Sequence, residues 1–226
     1  MNTQINAAEL RTEKRETLLE IVTAIVLGIA TIGAAFAAYQ ASLYSGSSLD
    51  HYSMSLVKTA NANAQTLEAS QSFIYDMITW LEYESRTISA SKGAGIQAKV
   101  DGEVAKVIEK DFLEDRMKAA IAWAKEESKK SAIRLHPTDS EDYAMELLGG
   151  AVDTETEQVA EIEKARKDNS TGDKFTLSTV LFTIVLFFTG IAAVMRRLGI
   201  RTVLISIATL FLAFAVVHLL SLPLAG

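Results

Sequence analysis

Three long runs of apolar residues constrain this chain more than any other feature of its sequence. They lie at residues 18–43, 175–195 and 202–222, and they span 26, 21 and 21 residues. Apart from Glu20 near the start of the first run, they contain no Asp, Glu, Lys or Arg. Because an α-helix rises about 1.5 Å per residue, each run is long enough to cross a hydrocarbon core of about 30 Å. The sequence therefore predicts an all-α membrane protein with three transmembrane helices.

The first run also has two features of a cleaved signal peptide. Basic residues precede it, and the small residues Ala35 and Ala37 could mark a cleavage site. Its apolar stretch is longer than the central region of an ordinary signal peptide. We therefore expect this run to be retained as a transmembrane helix.

Basic residues next to the apolar runs predict the orientation of the chain. Lys and Arg near span ends favour the cytoplasmic side of a membrane. Six such residues precede the first run or lie between the second and third, and they are Arg11, Lys14, Arg15, Arg196, Arg197 and Arg201. The predicted location is the plasma (inner) membrane of a cell, with the N-terminus in the cytoplasm and the large domain periplasmic or extracellular. The predicted order is a cytoplasmic segment (1–17), span 1 (18–43), an extracytoplasmic helical domain (44–174), span 2 (175–195), a cytoplasmic turn (196–201), span 3 (202–222) and an extracytoplasmic C-terminus (223–226).

The charge of the predicted extracytoplasmic domain limits its partners. Residues 44–174 carry 24 acidic and 16 basic side chains, which gives a net charge of −8. This balance argues against nucleic acid and anionic lipid as partners of this region. The partners that we expect are the lipid bilayer, further copies of the chain in a homo-oligomer, and a protein outside the cytoplasm.

A heptad stripe predicts a long helix at residues 49–90, after a helix break at residues 45–48. The stripe contains Leu56, Ala60, Asn63, Leu67, Ser70, Ile74, Met77, Leu81 and Ile88. Such spacing is typical of a coiled-coil seam. We expect Asn63, Leu67, Ser70 and Ile74 to form the seam of an antiparallel helical hairpin, in which the polar members either set the register or line a wet interior.

The rest of the domain is predicted to be three further helices. A turn at residues 92–95 leads to a second long helix at 96–133, which Pro137 ends. A short helix then ends at Gly149 and Gly150, and an amphipathic helix at 154–167 leads back to the membrane.

Small residues in span 1 predict close contacts with neighbouring helices. Inside a bilayer, small side chains let helix backbones approach, and tight packing takes the place of the hydrophobic drive. The predicted packing and oligomerisation positions are Gly28, Ala30, Gly33, Ala34, Ala37, Ala38 and Ala41. Span 2 is bulkier, and we expect it to face lipid.

A few polar side chains lie near the outer ends of the spans. Tyr39 and Gln40 lie near the end of span 1, and His218 lies near the end of span 3. They either anchor the helices at the membrane surface or, together with Thr31 and Ser42, line the mouth of a pore.

Catalytic motifs are missing from the sequence. The chain has no cysteine, its three histidines are far apart, and it has no glycine-rich phosphate loop. Asp111, Glu114 and Asp115 would share one helix face as a weak divalent-cation surface, although interleaved Arg116 and Lys118 favour a solvated salt-bridged face. We interpret Trp80, Tyr83 and Trp123 as core or interface anchors and not as a ligand cage. The sequence therefore predicts a protein that is not an enzyme and binds no metal or cofactor.

The architecture resembles a known group of membrane proteins. The residues that carry the resemblance are Leu18–Val22 and Ala38–Ala41, the charged helical insert, and Arg196-Arg197 between two closing spans. These features resemble a family of uncharacterised prokaryotic three-span membrane proteins classed as a domain of unknown function. The resemblance implies the topology and no activity.

Two functions agree with these features. The first is a non-enzymatic, oligomeric interaction or envelope scaffold. The second is an oligomeric ion or small-solute pore whose acidic extracytoplasmic vestibule gathers cations.

Overall fold

The computed structural model describes residues 7–225, with side chains from residue 13 onwards. It is 91% helical, and its described residues contain no β-strand. The elements are α1 (Ala7–Lys92), α2 (Gly95–Val107), a π-helical turn (Ile108–Phe112), α3 (Asp115–Lys130), a 3-10 turn (Pro137–Asp139), α4 (Glu141–Val194) and α5 (Leu198–Leu220). Three helices, namely α1, α4 and α5, are long and apolar enough to cross a membrane. The prediction of an all-helical chain with three such helices is confirmed.

The chain divides into two compact units. The apolar unit combines the described residues up to Tyr52 with those from Ile162 onwards. The charged unit is Ser53–Glu161. Both α1 and α4 contribute residues to each unit.

Three helices share the core of the apolar unit. Val26 and Ala30 of α1 meet Leu181, Phe182 and Val185 of α4, while Ala208 and Ala215 of α5 complete the cluster. Most of the α1 and α5 members are small, so the helices can lie close together. The phenyl ring of Phe182 fills the space next to Gly33, where an added Cβ atom would lie 2.5 Å from the ring.

The core of the charged unit forms around Trp80 and Met117. Trp80 of α1 packs with Ile108, Leu113, Met117, Ala120 and Tyr143, which come from the π-helical turn, the loop after it, α3 and α4. Tyr83 packs against this cluster, so its prediction as a core anchor agrees with the structure, as does that of Trp80. Trp123 is only partly buried and lies outside the cluster.

Two predicted helix breaks are wrong. Helix α1 continues through residues 45–48, where the Ser48 hydroxyl donates to the carbonyl oxygen of Ala165 and the Ser47 hydroxyl donates to Asp168. Helix α4 likewise continues through Gly149 and Gly150, with the Thr154 hydroxyl near both the Gly150 carbonyl and Gln65. At both places small residues and side-chain hydrogen bonds join α1 to α4. Tertiary packing therefore overrides weak helix propensity.

The predicted second helix at 96–133 is interrupted. The π-helical turn follows α2, and Leu113 then adopts an extended backbone with φ −76° and ψ 125°. Leu113 is 5% exposed and belongs to the core of the charged unit. The helical path ends at Leu113, and the extended backbone there accompanies the burial of its side chain in this core. The turn predicted at residues 92–95 is present, and Gly95 has φ +78°, a conformation that favours glycine.

We predict that Gly33→Ala destabilises the apolar unit whereas Gly28→Ala does not. Phe182 is fully buried, so a methyl group at residue 33 forces its ring to shift, which costs about 1–3 kcal/mol. Residue 28 has open space for a Cβ atom, so alanine there gains about 0.5–1 kcal/mol of helix stability. Urea unfolding of the full chain in mild detergent, followed by circular dichroism, measures both.

The double variant Gly33→Ala/Phe182→Leu provides the control, because leucine returns the space that the methyl group takes. We expect it to recover part of the lost stability. Equal stability of the two single alanine variants would contradict the proposed contact.

Candidate functional site

A buried carboxylate at the centre of the charged unit is its most unusual polar group. Asp76 of α1 has a fully buried side chain, and its Oδ2 atom accepts hydrogen bonds from Arg116 Nε at 2.8 Å and from Tyr143 Oη at 3.1 Å. These partners come from α3 and α4, so one side chain joins three helices. The Oδ1 atom is buried without a hydrogen-bond partner among the described residues.

The charges of this network support one another. Burial acts against the charged form of Arg116, but the hydrogen bond and the negative charge of Asp76 outweigh it and raise the pKa of Arg116. Burial, and then the charge of Asp76, raise the pKa of Tyr143 well above its usual value of 10.0. The network therefore holds an arginine cation and a neutral tyrosine against one carboxylate.

A cleft of about 410 Å³ lies within the charged unit. Its walls combine two aromatic rings, aliphatic side chains, a paired Glu84 and Arg134, and Lys125. The Trp80 ring packs edge to face against His136, with 5.3 Å between the ring centroids. Burial and the charge of Glu109 raise the pKa of Tyr83, which keeps this phenol neutral.

The predicted divalent-cation surface is not assembled as the sequence analysis assumed. Asp111 lies in the π-helical turn, whereas Glu114 and Asp115 follow the interruption at Leu113, so the three do not share a helix face. Arg116 is also not part of a solvated face, because it pairs with Asp76. Among the described residues, no group of three or more His, Asp or Glu side chains could hold a metal ion.

The predicted packing positions of span 1 divide between two sides of α1. Ala30 and Ala37 are fully buried within the apolar unit, and Gly33, Ala34 and Ala41 are partly buried. Gly28 and Ala38 are exposed. The buried and partly buried residues therefore contact helices of the same chain, whereas Gly28 and Ala38 remain accessible.

The C-terminal segment of the chain contacts the predicted mouth residues. Gln40 is 5% exposed, and its Oε1 atom accepts a hydrogen bond from the Ala225 backbone at 2.9 Å. The Tyr44 hydroxyl donates to the Pro223 carbonyl oxygen at 3.0 Å. His218 lies 2.9 Å from the buried Ser178 hydroxyl. Tyr39, Thr31 and Ser42 are exposed.

The four predicted seam residues of the hairpin lie on the exposed face of α1. Asn63 and Ser70 are exposed, and Leu67 and Ile74 are 60% and 57% exposed. The residues that α1 buries within the charged unit lie on a different face and include Ser55, Ala69, Asp76 and Trp80, with Ala62 and Gln65 partly buried beside them. The predicted stripe is therefore present as a largely exposed helix face, although Met77 packs against the core of the charged unit and Asn63 lines a cavity with residues of α4.

The predicted orientation residues have different surroundings. Lys14, Arg15, Arg196 and Arg197 are exposed, and the side chain of Arg11 lies outside the described residues. The Arg201 side chain is 12% exposed and lies 3.7 Å from Glu20. The spacing of the sequence does not indicate this pair.

The Asp76 network was also missed, although the sequence carries a signal for it. Asp76 is the only acidic residue between Glu68 and Glu82, and apolar and aromatic residues surround it. A single carboxylate in such a segment is rarely buried unless it is paired. Its partners are 40 and 67 residues away, however, and the spacing of the sequence does not identify them.

Comparisons of the chain with protein-family models, with curated proteins and with solved structures give no match.

We predict that Arg116→Met lowers the free energy of unfolding by about 3 kcal/mol, because it leaves a buried carboxylate without its cation. Lys118→Met, in the same helix, is the matched control, because Lys118 pairs with the exposed Asp115. Urea unfolding of the full chain in mild detergent measures both variants. Equal effects would show that the Asp76 pair is no more important than a surface pair.

We predict that stability falls at alkaline pH partly through Tyr143. Because its folded pKa lies above the unfolded value of 10.0, the stabilisation is complete below pH 10 and declines as the pH rises further. In Tyr143→Phe this contribution is absent, so unfolding midpoints measured from about pH 8 to about pH 11 should fall less steeply than in the wild type. Parallel pH profiles would contradict the assignment.

Proposed function

We propose that this chain is an integral membrane protein with spans at 18–43, 175–195 and 202–222, and that it serves as a non-enzymatic, oligomeric interaction or envelope scaffold. The N-terminus and residues 196–201 lie in the cytoplasm, and residues 44–174 lie outside it. The observation that carries the proposal is the distribution of polar and apolar side chains within the apolar unit.

The apolar unit buries several polar residues beside its apolar core, and it exposes many bulky apolar residues. Thr23, Gln40, Ser178 and Thr189 are among its buried side chains. Large apolar side chains of the three runs that are at least 61% exposed include Leu18, Ile32, Phe187, Val194, Leu210, Val217 and Leu220. Water-soluble proteins rarely expose continuous apolar surface of this extent. A hydrocarbon solvent stabilises this arrangement, and continuous helices satisfy their backbone hydrogen bonds within it.

The charges at the ends of the apolar runs support the orientation. Arg196 and Arg197 are exposed in the short connection between α4 and α5, and Lys14 and Arg15 are exposed before the first run. These residues lie on the side of the membrane that the positive-inside rule assigns to the cytoplasm.

The scaffold role is proposed over the pore role because of Gln40. A pore with Gln40 in its lining needs this side chain to be accessible, whereas it is buried and bonded to the Ala225 backbone. The long helices of the charged unit, with net negative charge and a large accessible surface, suit protein contacts outside the cytoplasm.

Single-cysteine variants test the topology, because the natural chain has no cysteine. Gly149 and Gly199 both have open space for an added side chain. We expect a membrane-impermeant maleimide to label Gly149→Cys in right-side-out vesicles and Gly199→Cys in inside-out vesicles only. Labelling of both variants from the same side, or release of the protein from membranes by alkaline carbonate, would contradict the proposal.

Light scattering of the full chain in mild detergent tests the oligomer. The scaffold proposal requires a mass of at least two chains after the detergent is subtracted. A single chain at all protein concentrations would contradict it.

A further inference from the structure

The exposed face of α1 in the charged unit carries an apolar stripe, and one member of it, Met77, is partly buried against the core of this unit. Its bulky members are Leu56, Leu67, Ile74 and Leu81, which are 54–71% exposed. Ala60, Asn63 and Ser70 lie between them with the alternating spacing of three and four residues that defines a heptad. Because an α-helix turns about 100° per residue, this stripe lies on a different face from the buried residues Ala69 and Asp76.

Charged residues are scarce along this part of α1. Between Lys58 and Glu82 the sequence has only two, Glu68 and Asp76, and Asp76 is buried. A helix face that stays in water normally carries several charged side chains per two turns. Val57 and Ile78, which flank the stripe, are 58% and 64% exposed and widen the apolar surface. This face therefore has the composition of a surface that another protein covers.

We infer that a second copy of this chain covers the stripe, so that two α1 helices pair side by side, parallel and in register, along residues 56–88. The inference rests on the proposed membrane insertion, because all copies then enter the bilayer in the same direction. Residues of one copy then lie next to the same residues of the other. A heptad stripe fits a second helix with the same stripe, because each apolar side chain inserts between four side chains of the partner.

The polar residues of the stripe favour a second copy over a different partner. In a parallel, in-register pair Asn63 meets Asn63 of the other copy. An asparagine side chain has both an amide donor and a carbonyl acceptor, so two copies can satisfy each other. Any other register would bury the amide groups of both asparagines without these partners, which disfavours it.

The length of the stripe provides enough area for a stable contact. Residues 56–88 extend roughly 50 Å along the helix, and the helix is roughly 10 Å wide. The contact would therefore remove about 500 Å² from each copy, or about 1,000 Å² in total, which is where specific interfaces begin.

Disulfide trapping in native membranes tests the pairing. Leu67→Cys, in the otherwise cysteine-free full chain, is expected to give a cross-linked species of twice the chain mass after mild oxidation, because facing core positions of a helix pair lie within disulfide range. Thr66→Cys is the matched control, because it is exposed but lies about 100° around the helix. We expect at least about tenfold less cross-linking from it.

The double variant Leu67→Glu/Ile74→Glu should lose this association, measured as mass by light scattering in mild detergent. Both residues are exposed, so the helix itself tolerates the change, and an unchanged circular dichroism spectrum verifies this. Ile133→Glu is the control, because this side chain is 68% exposed in the loop after α3. It should keep the wild-type mass.

The outcomes separate this inference from the proposed function. Suppose that the wild type is oligomeric, that Leu67→Cys gives no cross-linked dimer, and that the glutamate variant keeps the wild-type mass. The stripe is then not the contact between copies, but the proposal of an oligomeric scaffold stands. A cross-link from Leu67→Cys to a different protein likewise overturns pairing with a second copy. A wild type that is a single chain in membranes and in detergent overturns both.

Discussion

The close approach of α1 and α4 is the constraint on which both units depend. In the apolar unit a Cβ atom at Gly172 would lie 3.4 Å from the Cβ of Tyr44, and the ring of Phe182 lies against Gly33. In the charged unit the approach occurs where Gln65 and Thr154 share a hydrogen bond of 2.9 Å. Small residues at these positions make the approach possible. Apolar burial between two long helices then stabilises each of them beyond what its own propensity provides.

Different interactions join the helices in the two units. The apolar unit joins its helices through small side chains and a few hydrogen bonds to backbone carbonyls, such as that from Ser48. The charged unit adds a buried ion pair, in which Asp76 connects α1 to α3 and α4. Replacement of a buried ion pair by apolar residues is often neutral, so such a pair specifies an arrangement more than it adds stability. We expect Asp76 to have this role, because its hydrogen bonds connect α1 to both α3 and α4.

The sequence predicted which segments are helical and apolar, but it did not predict how they pair. Length and the absence of charge identify residues 175–195 and 202–222, since few other structures accommodate such runs. The face of α1 that packs within the chain could not be predicted in this way. Bulky residues such as Leu67 mark a stripe clearly, whereas Ala69, which is buried, and Gln65, which is partly buried, resemble surface positions in a single sequence. The continuity of helices through residues 45–48 and 149–150 also depends on contacts with residues more than 80 positions away.

The π-helical turn between α2 and α3 makes the length of this segment critical. A π-helical turn holds about one more residue than an α-helical turn, and it leaves the Phe112 carbonyl oxygen to accept from the Tyr75 hydroxyl at 3.3 Å. A deletion of one residue within Ile108–Phe112 would restore an ordinary turn and rotate α2 by about 100° about its axis. Asp101 would then face away from Arg86, which now binds it at 2.9 Å. Related chains that keep this packing should therefore conserve the number of residues between α2 and α3 more strictly than their identity.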